Sequence, residues 1–169
     1  MNKVPAIIIT VSKQPIGDLY IAATSKGVLR IGFSVTQSLQ QFTSSLNAEN
    51  NSGDGFPFPG LLGKLDRYFR GEKTVFDEPL DLPSATTFQR QVWDKVGKIP
   101  YGTVKTYAQI AREIGNPHAV RAVGRANGAN PVPILIPCHR VITGAGHLGG
   151  YSAGLAVKDA LLRLEGAVI

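Results

Sequence analysis

The sequence is poor in cysteine and has no long apolar run. Its 169 residues contain one cysteine, Cys138, so no internal disulfide can form, and no Cys-x-x-Cys pair is present to hold a structural zinc. The longest apolar stretches, such as VPILIP at 132–137, are far shorter than a membrane span. The first residues also lack the basic flank and apolar core of a secretion signal. We therefore expect a cytoplasmic protein, or a nuclear one in a eukaryote, with no membrane association and no metal.

The excess positive charge is confined to the second half of the chain. The formal net charge is +6; residues 1–86 contain eight basic and eight acidic side chains, whereas residues 87–169 contain ten basic and four acidic ones. A neutral half joined to a basic half indicates that only the second half meets a polyanion such as nucleic acid. A basic face that is merely solvated is the alternative.

The first half has the pattern of a small antiparallel sheet. Three segments rich in β-branched and aromatic residues, 6–11, 18–24 and 28–33, predict strands. The short SKG at 25–27 predicts a tight turn between the last two. A polar stretch without periodicity at 43–55 predicts a flexible loop.

A helix and a linker are predicted to follow that loop. The helix is expected to end at Gly71, and residues 72–84, with two prolines and several acidic side chains, predict a linker. No residue of this half carries recognisable chemistry. We therefore expect two domains, residues 1–84 and 85–169. The apolar positions of the predicted helix recur at helical spacing: Leu61, Leu65, Tyr68 and Phe69.

Two capping boxes mark helix starts in the second half. Thr86 with Gln89, and Thr106 with Gln109, have the T-x-x-Q pattern in which two side chains satisfy the first free amides of a helix. Pro100 is expected to break the first of these helices. The second is short and is expected to end at the glycine that precedes Asn116.

A third helix is predicted to start almost at once, with Asn116 as its cap and Pro117 at its first position. Two short helices joined so tightly form a helix-turn-helix candidate. The third helix, within 118–130, is thin because Ala and Gly dominate it, and it carries Arg121 and Arg125 one turn apart. Such a helix suits contact with a DNA groove and backbone, with little readout of bases. Packing against its own domain is the alternative.

Cys138 and Glu165 stand in unusual local settings. Cys138 lies in the apolar stretch PVPILIPCHRVI at 131–142, where a free cysteine is ordinarily an inert core residue. Glu165 falls in the last turn of a predicted helix, 155–165, where the helix dipole disfavours a carboxylate. That position is typical of a residue kept for another partner, although an exposed glutamate without a role is the alternative. His118 and His147 are interpreted as surface residues.

The second half resembles the O6-alkylguanine-DNA alkyltransferase family. The resemblance is carried by PCHRV at 137–141, NPVP at 130–133, GYSAG at 150–154 and Lys158, and it extends through IPYGTVKTYAQIA and RAVGRANGANP. It implies an α/β protein of two small domains. The first is a ribonuclease-H-like antiparallel sheet with a helix, and the second is a mainly helical, winged-helix-like domain with a helix-turn-helix.

The resemblance implies DNA repair by direct reversal. An alkyl group moves irreversibly from guanine O6, and from O4 of alkylated thymine, to Cys138, so each molecule acts once. No cofactor is implied, and the zinc site of some members cannot form because the first domain lacks Cys and His. The implied partner is double-stranded DNA containing alkylated guanine, and also single-stranded DNA. The protein is expected to be a monomer in solution, with several copies able to bind along DNA.

The resemblance also assigns roles around the thiol. His139 takes the proton of Cys138 through a bridging water, and Glu165 holds His139 in the useful tautomer. If the chain were extended here, Cys138 and His139 would point to opposite faces, which suits a water relay better than a direct hydrogen bond. Asn130 fixes the turn beneath the pocket. The implied catalytic residues are Cys138, His139, Glu165, Asn130, Tyr107 and Lys158.

The implied pocket receives a guanine that has been flipped out of the duplex, because a stacked base cannot reach a buried thiol. The Tyr107 hydroxyl and the Ser152 backbone donate to the base, and the carbonyls of Cys138 and Val141 accept from its amine. The implied substrate-binding residues are Tyr107, Pro133, Val141, Tyr151, Ser152 and Gly154. Arg121 fills the gap in the stack from the minor groove. The implied DNA-binding residues are Arg121, Thr106, Ala122, Gly124, Arg125 and Ala126.

Two other functions compete with alkyl transfer. One is a non-catalytic module that recognises alkylated guanine in DNA and carries an incidental thiol. The other is a cysteine hydrolase built on Cys138, His139 and Glu165, although no oxyanion-hole motif is visible in the sequence.

Overall fold

A computed structural model describes residues 4–46, 48–50 and 55–167, in two compact units that divide between Pro83 and Ser84. In its described residues, the first unit contains a four-stranded sheet and two helices. Its elements are β1 (Val4–Val11), β2 (Leu19–Thr24), β3 (Gly27–Phe33), α1 (Leu39–Ser44), β4 (Ala48–Asn50) and α2 (Pro59–Phe69).

The sheet of the first unit has the strand order β3-β2-β1-β4. β1, β2 and β3 form the predicted antiparallel meander, and β4 adds to β1 in parallel. Every residue of β2 is buried, as expected for a central strand rich in Leu, Ile and Ala. The four apolar positions predicted for the helix at 61–69 are all buried in α2, and Gly71 follows it with a positive φ of 82°.

The prediction of a flexible loop at 43–55 is wrong for part of that range. α1 extends to Ser44, and residues 48–50 form β4, because three backbone pairs with β1 offset the lack of a local strand pattern. Residues 47 and 51–54 lie outside the described part of the chain.

The segment predicted as a linker, 72–84, is partly bound to the sheet of the first unit. The amide of Val28 donates to the carbonyl of Pro79 (2.8 Å), and the amide of Asp81 donates to the carbonyl of Val28 (3.0 Å). The Thr24 hydroxyl donates to Asp81 Oδ2 at 2.6 Å. A side chain at Gly27 would lie 2.6 Å from the carbonyl oxygen of Pro79. This segment therefore covers the outer edge of β3, which a sequence pattern rich in proline and acid does not reveal.

The second unit is mainly helical. Thr86 and Thr106 each cap a helix in the predicted capping boxes, and Gly115 follows the second helix with a φ of +77°. The elements are α3 (Thr87–Gly97), β5 (Lys105–Thr106), α4 (Tyr107–Glu113), α5 (Val120–Gly128), a 3₁₀ turn (Cys138–Arg140), β6 (Val141–Ile142) and α6 (Leu155–Leu164). β5 and β6 pair in parallel.

The third predicted helix begins later than expected. Asn116 does not cap α5; its carbonyl accepts from the amide of Ala119 (3.0 Å) in a turn, and α5 starts at Val120 without a side-chain cap. The helix gains its stability from packing instead, because Val123, Ala126 and Asn127 are buried on one face. In the described residues, none of the helices has both the length and the apolar composition needed to cross a bilayer.

The contact between Thr24 and Asp81 provides a test of how the 79–81 segment is held. We expect Asp81→Ala to destabilise the edge of the sheet by about 1 to 2 kcal/mol, because the Thr24 hydroxyl loses its acceptor. Hydrogen exchange of residues 19–33, read by mass spectrometry, should become faster. Glu72→Ala, which removes only an exposed ion pair with Arg70, is the control and should leave this exchange unchanged. Equal exchange in both variants would contradict the assigned role of Asp81.

Candidate active site

Cys138 opens the 3₁₀ turn between α5 and β6, and only 3% of the residue is exposed. The expectation of an extended chain at Cys138 and His139 is wrong. A 3₁₀ helix completes one turn in three residues, so the two side chains leave the backbone about 120° apart. They still point in different directions, but the cause is helical and not extended geometry.

The environment of the thiol favours its neutral form. Burial raises the pKa of Cys138, and the side chain of Asn130, the Lys158 ammonium and the side chain of Tyr151 oppose this effect without overcoming it. The thiol is therefore protonated at neutral pH. To act as a nucleophile it must give its proton to a nearby base.

A strained turn precedes the cysteine. Ile134 is buried and has a φ of +76°, a conformation that β-branched residues rarely adopt. Asn130 spans this turn: its Nδ2 donates to the carbonyl of Ile136 (2.8 Å), and its Oδ1 accepts from the amide of Val132 (3.0 Å). These two buried bonds help to offset the strain and fix the chain that leads to Cys138. Asn130 thus spans the turn that precedes Cys138.

Glu165 is a buried carboxylate at the end of α6. Arg140 binds it through two hydrogen bonds, from Nε to Oε2 (2.8 Å) and from Nη2 to Oε1 (3.0 Å). Burial alone would raise the pKa of Glu165, but hydrogen bonds from His139 and Arg140 outweigh burial and hold it at about 2. The helix dipole disfavours a carboxylate at this position, and the hydrogen bonds from Arg140 and His139 compensate for that effect.

His139 receives its orientation from this carboxylate. Its Nε2 lies 2.7 Å from Glu165 Oε1, and neither side chain is exposed. Burial lowers the pKa of His139, although Glu165 acts in the opposite sense, so the imidazole is neutral at pH 7. An ionised carboxylate can only accept, so Nε2 carries the ring proton and Nδ1 is the basic nitrogen. A neutral imidazole in this tautomer can take a proton from a thiol.

Two further residues contact the Glu165 carboxylate, Arg140 and Gly102, and neither was among the site residues predicted from the sequence. Arg140 also donates from Nη1 to the carbonyl of Ile99 (2.6 Å). The amide of Gly102 donates to Glu165 Oε2 (3.2 Å), and a Cβ at this position, where φ is +75°, would lie 2.8 Å from the carbonyl oxygen of Glu165. Both residues lie inside motifs that carried the resemblance, PCHRV and IPYGTV. For Arg140, the available signal was a second basic residue next to His139 in an otherwise apolar stretch, which indicates a buried acidic partner.

Lys158 is completely buried although it carries an ammonium group. Its Nζ donates to the carbonyls of Val141 (2.6 Å), Leu148 and Gly150 (3.4 Å). Burial lowers its pKa to about 8, and the nearby Cys138 acts in the opposite sense. The ammonium thus joins three backbone carbonyls around the loop that follows the cysteine.

Tyr107, the first residue of α4, packs between two glycines. A Cβ at Gly124 of α5 would lie 3.9 Å from Tyr107 Cδ1 and Cε1. A Cβ at Gly149, where φ is +70°, would lie 3.2 Å from the Tyr107 hydroxyl. A side chain at Gly149 would therefore press on the Tyr107 ring, whereas a Cβ at Gly124 would make only an ordinary van der Waals contact with it. Gly149 was not among the site residues predicted from the sequence.

The other implied pocket residues differ in exposure. Val141 and Pro133 are buried, Tyr151 is half-buried, and Ser152 and Gly154 are exposed. The carbonyls expected to accept from guanine already have partners: that of Val141 accepts from Lys158 Nζ (2.6 Å), and that of Cys138 accepts from Asn127 Nδ2 (3.1 Å) and from the amide of Val141. Because a carbonyl oxygen has two lone pairs, both lone pairs of the Cys138 carbonyl are already engaged.

Five of the six implied DNA-binding residues lie on α5, and they divide between its exposed and buried faces. Arg121 and Arg125 are exposed, and Ala122 and Gly124 are half-buried. Ala126 is only 4% exposed, and its carbonyl accepts from Trp93 Nε1 (2.8 Å). The assignment of Ala126 to the DNA surface is therefore corrected, because its side chain belongs to the packed face. Thr106 caps α4, and its hydroxyl accepts from the amide of Gln109 (3.2 Å).

Within the described ranges 4–46, 48–50 and 55–167, no group of three or more His, Cys, Asp or Glu side chains is arranged to hold a metal ion. The buried Glu165 carboxylate is engaged instead by His139, Arg140 and the amide of Gly102.

Comparison with known families gives matches in both units. Residues 7–82 match the ribonuclease-like domain of 6-O-methylguanine DNA methyltransferase, and residues 87–167 match the DNA-binding domain of the same family.

Named relatives agree with these matches. A methylated-DNA–protein-cysteine methyltransferase of Methanosarcina acetivorans is 41% identical over 155 residues, which cover 92% of this chain and 96% of the relative. One of Mycobacterium leprae is 41% identical over 151 residues, with coverage of 89% and 87%. The crystal structure of Mycobacterium tuberculosis OGT in complex with DNA aligns with a TM-score of 0.81 and 40% identity, over 94% of this chain and 92% of that one.

The acid dependence of stability tests the ionisation of Glu165. Its folded-state pKa of about 2 lies below the ordinary 4.5, so the carboxylate stabilises the second unit above pH 4.5, and this contribution is lost as pH falls towards 2. The difference corresponds to about 3 kcal/mol. We expect urea unfolding, followed by the fluorescence of Trp93, to show this loss in the wild type but not in Glu165→Gln.

Glu165→Gln should also be less stable at pH 7 by about 3 to 5 kcal/mol, because Arg140 remains buried without its counter-charge. Asp159→Asn removes an exposed ion pair with Arg163 and is the control that should keep the acid-induced loss. If Glu165→Gln lost as much stability at acid pH as the wild type, the acid dependence would have to come from another group.

Proposed function

Because this chain belongs to the methylated-DNA–protein-cysteine methyltransferase family, we propose that Cys138 is the cysteine that accepts the alkyl group. The protein is a self-alkylating enzyme that repairs DNA by direct reversal. The observation that carries the assignment is the buried Cys138 beside a histidine whose tautomer is fixed by the Glu165 carboxylate. In the sequence, Cys138 is also the only thiol.

The transfer begins with deprotonation of Cys138. His139 takes the thiol proton at Nδ1, with a water as the relay, while Nε2 remains hydrogen-bonded to Glu165. The thiolate sulfur then forms a bond to the alkyl carbon as the bond between that carbon and guanine O6 breaks. The electron pair of the broken bond stays on the guanine. The base recovers one proton, which balances the proton lost by the thiol.

We propose that Tyr107 and the 133–154 region bind the base. Tyr107 donates to the guanine and stabilises the charge that develops on it, and the Ser152 backbone donates as well. Pro133 and Tyr151 supply apolar walls for the alkyl group, and Gly154 leaves space at the start of α6. The carbonyls of Cys138 and Val141 accept from the guanine amine, that of Cys138 in exchange for one of its two present donors.

DNA is the partner of this family, and we assign its contact to the exposed face of α5. Arg121 enters the stack in place of the flipped guanine, and Arg125, one turn later, lies on the same exposed face. Ala122, Gly124 and the α4 cap at Thr106 allow close approach of the backbone. The substrate is O6-alkylguanine in double-stranded or single-stranded DNA, together with O4-alkylthymine. We further propose a cytoplasmic monomer, nuclear in a eukaryote, of which several copies can bind along DNA.

Replacement of the thiol separates chemistry from DNA binding. We expect Cys138→Ala to abolish transfer from a duplex containing O6-methylguanine, because the acceptor sulfur is missing. Mass spectrometry of the protein should show the added mass of one methyl group in the wild type and none in the variant. DNA affinity should stay within about twofold, since a neutral buried thiol contacts no phosphate. A loss of affinity as large as the loss of transfer would contradict this assignment.

Replacement of Arg121 tests the extrusion step. We expect Arg121→Ala to slow transfer about tenfold or more in a duplex but much less in a single strand, because only a duplex must be unstacked and unpaired. Single-turnover rates on the two substrates provide the measurement. Arg125→Ala is the matched comparison, because loss of a phosphate contact should weaken binding to both substrates alike. Equal slowing of Arg121→Ala on both substrates would rule out the proposed role.

A further inference from the structure

Asn127 is a buried polar residue of α5 to which neither the resemblance nor the mechanism assigns a role. Only 3% of it is exposed. Its Nδ2 donates to the carbonyl of Cys138 (3.1 Å), so it contacts the backbone of the acceptor cysteine directly. Since only the NH₂ group can donate to a carbonyl, this bond also fixes which end of the amide faces Cys138.

The same residue lies beside Tyr107. Gly124 faces the Tyr107 ring, because a Cβ there would lie 3.9 Å from it, and Gly124 precedes Asn127 by three residues on α5. Residues at this spacing share one side of a helix. Burial raises the pKa of Tyr107, negative charge on Cys138 raises it further, and the Asn127 side chain lowers it. Both the helical spacing and these electrostatic effects place the amide of Asn127, the tyrosine hydroxyl and Cys138 in one cluster.

Asn127 is a poor choice for packing alone. Its Oδ1 is buried and accepts no hydrogen bond from any of the residues that the structure describes. A buried acceptor of this kind is costly, and an apolar side chain of similar size would avoid the cost. The hydrogen bond to the Cys138 carbonyl does not by itself explain why an amide occupies this buried position.

We propose that Asn127 is a positioning residue that directs the Tyr107 hydroxyl towards the substrate base. The amide has two N–H groups: one donates to the Cys138 carbonyl and the other to the Tyr107 oxygen. A phenol has a single proton. When its oxygen accepts from Asn127, that proton is left to donate to the guanine, where charge develops as the alkyl bond breaks. Asn127 therefore connects two groups of the site: the Tyr107 hydroxyl, which donates to the leaving base, and the backbone of Cys138, the nucleophile.

This inference rests on the proposed alkyl transfer, and a double-mutant cycle tests it. We expect Asn127→Leu to slow single-turnover transfer from duplex O6-methylguanine about tenfold, because the Tyr107 proton is no longer directed. In a Tyr107→Phe background the same change should slow transfer less than about twofold, because no hydroxyl remains to be positioned. DNA affinity should not change, since Asn127 is buried while Arg121 and Arg125 are exposed.

A structural control is available on the same helix. Trp93→Phe removes one hydrogen bond to an α5 carbonyl, that of Ala126, without touching Tyr107. Its effect on the rate should be the same in the wild-type and Tyr107→Phe backgrounds. A carbon-13 NMR titration of tyrosine rings should show a higher pKa for Tyr107 in Asn127→Leu but not in Trp93→Phe, a change that loss of packing alone would not produce.

The outcomes separate the two proposals. If the wild type transfers no alkyl group, the proposed function fails. If the wild type transfers but Asn127→Leu is unaffected, or is slowed equally in both backgrounds with no change in the Tyr107 pKa, the function stands and the role of Asn127 is overturned.

Discussion

The second unit depends on one buried charge, the carboxylate of Glu165. A carboxylate removed from water costs several kcal/mol unless charged and hydrogen-bonding groups surround it. Here a bidentate arginine, a histidine and a backbone amide provide four contacts with the two oxygens. These contacts join the end of α6, the 3₁₀ turn after Pro137 and the turn after Pro100. The local order of three distant segments therefore depends on one ionised group.

The same carboxylate links folding to chemistry. The pKa of about 2 keeps Glu165 ionised at any physiological pH, so it acts only as an acceptor towards His139. The buried His139 is neutral, and its basic nitrogen is the one opposite Glu165. The thiol is also held in its neutral form by burial. The resting site therefore contains a neutral thiol, that of Cys138, and a neutral imidazole, that of His139. These two groups become charged only when the proton moves from one to the other.

α5 serves two functions through its two faces. Arg121 and Arg125 are exposed, whereas Val123, Ala126 and Asn127 are buried. The buried face is anchored by Trp93 at Ala126 and by Asn127 at Cys138. The helix that we propose to contact DNA on one side is therefore hydrogen-bonded to the backbone of Cys138 on the other. The many Ala and Gly residues of this short helix make both contacts possible, because a DNA groove and a packed core each leave little room for bulky side chains.

Local patterns in the sequence were sufficient for many of the helices and strands. The two capping boxes, the four apolar positions of α2 and the three meander strands depend on residues close together in the chain, and local chemistry decides them. The start of α5 could not be predicted in this way, because packing and not Asn116 fixes it. The pairing of residues 79–81 with β3 also depends on backbone groups some fifty residues away, which leave no mark on composition.

For the site, the residue types and motifs pointed to Cys138, His139 and Glu165, and the motif resemblance supplied their proposed roles. Only the tertiary structure brought Arg140, Gly102, Gly149 and Asn127 into the cluster around them. The physical reason is that burial, hydrogen-bond partners and pKa shifts belong to an environment assembled from distant segments. The sequence determined which chemical groups were present; the fold decided which of them are buried together, and in which protonation state.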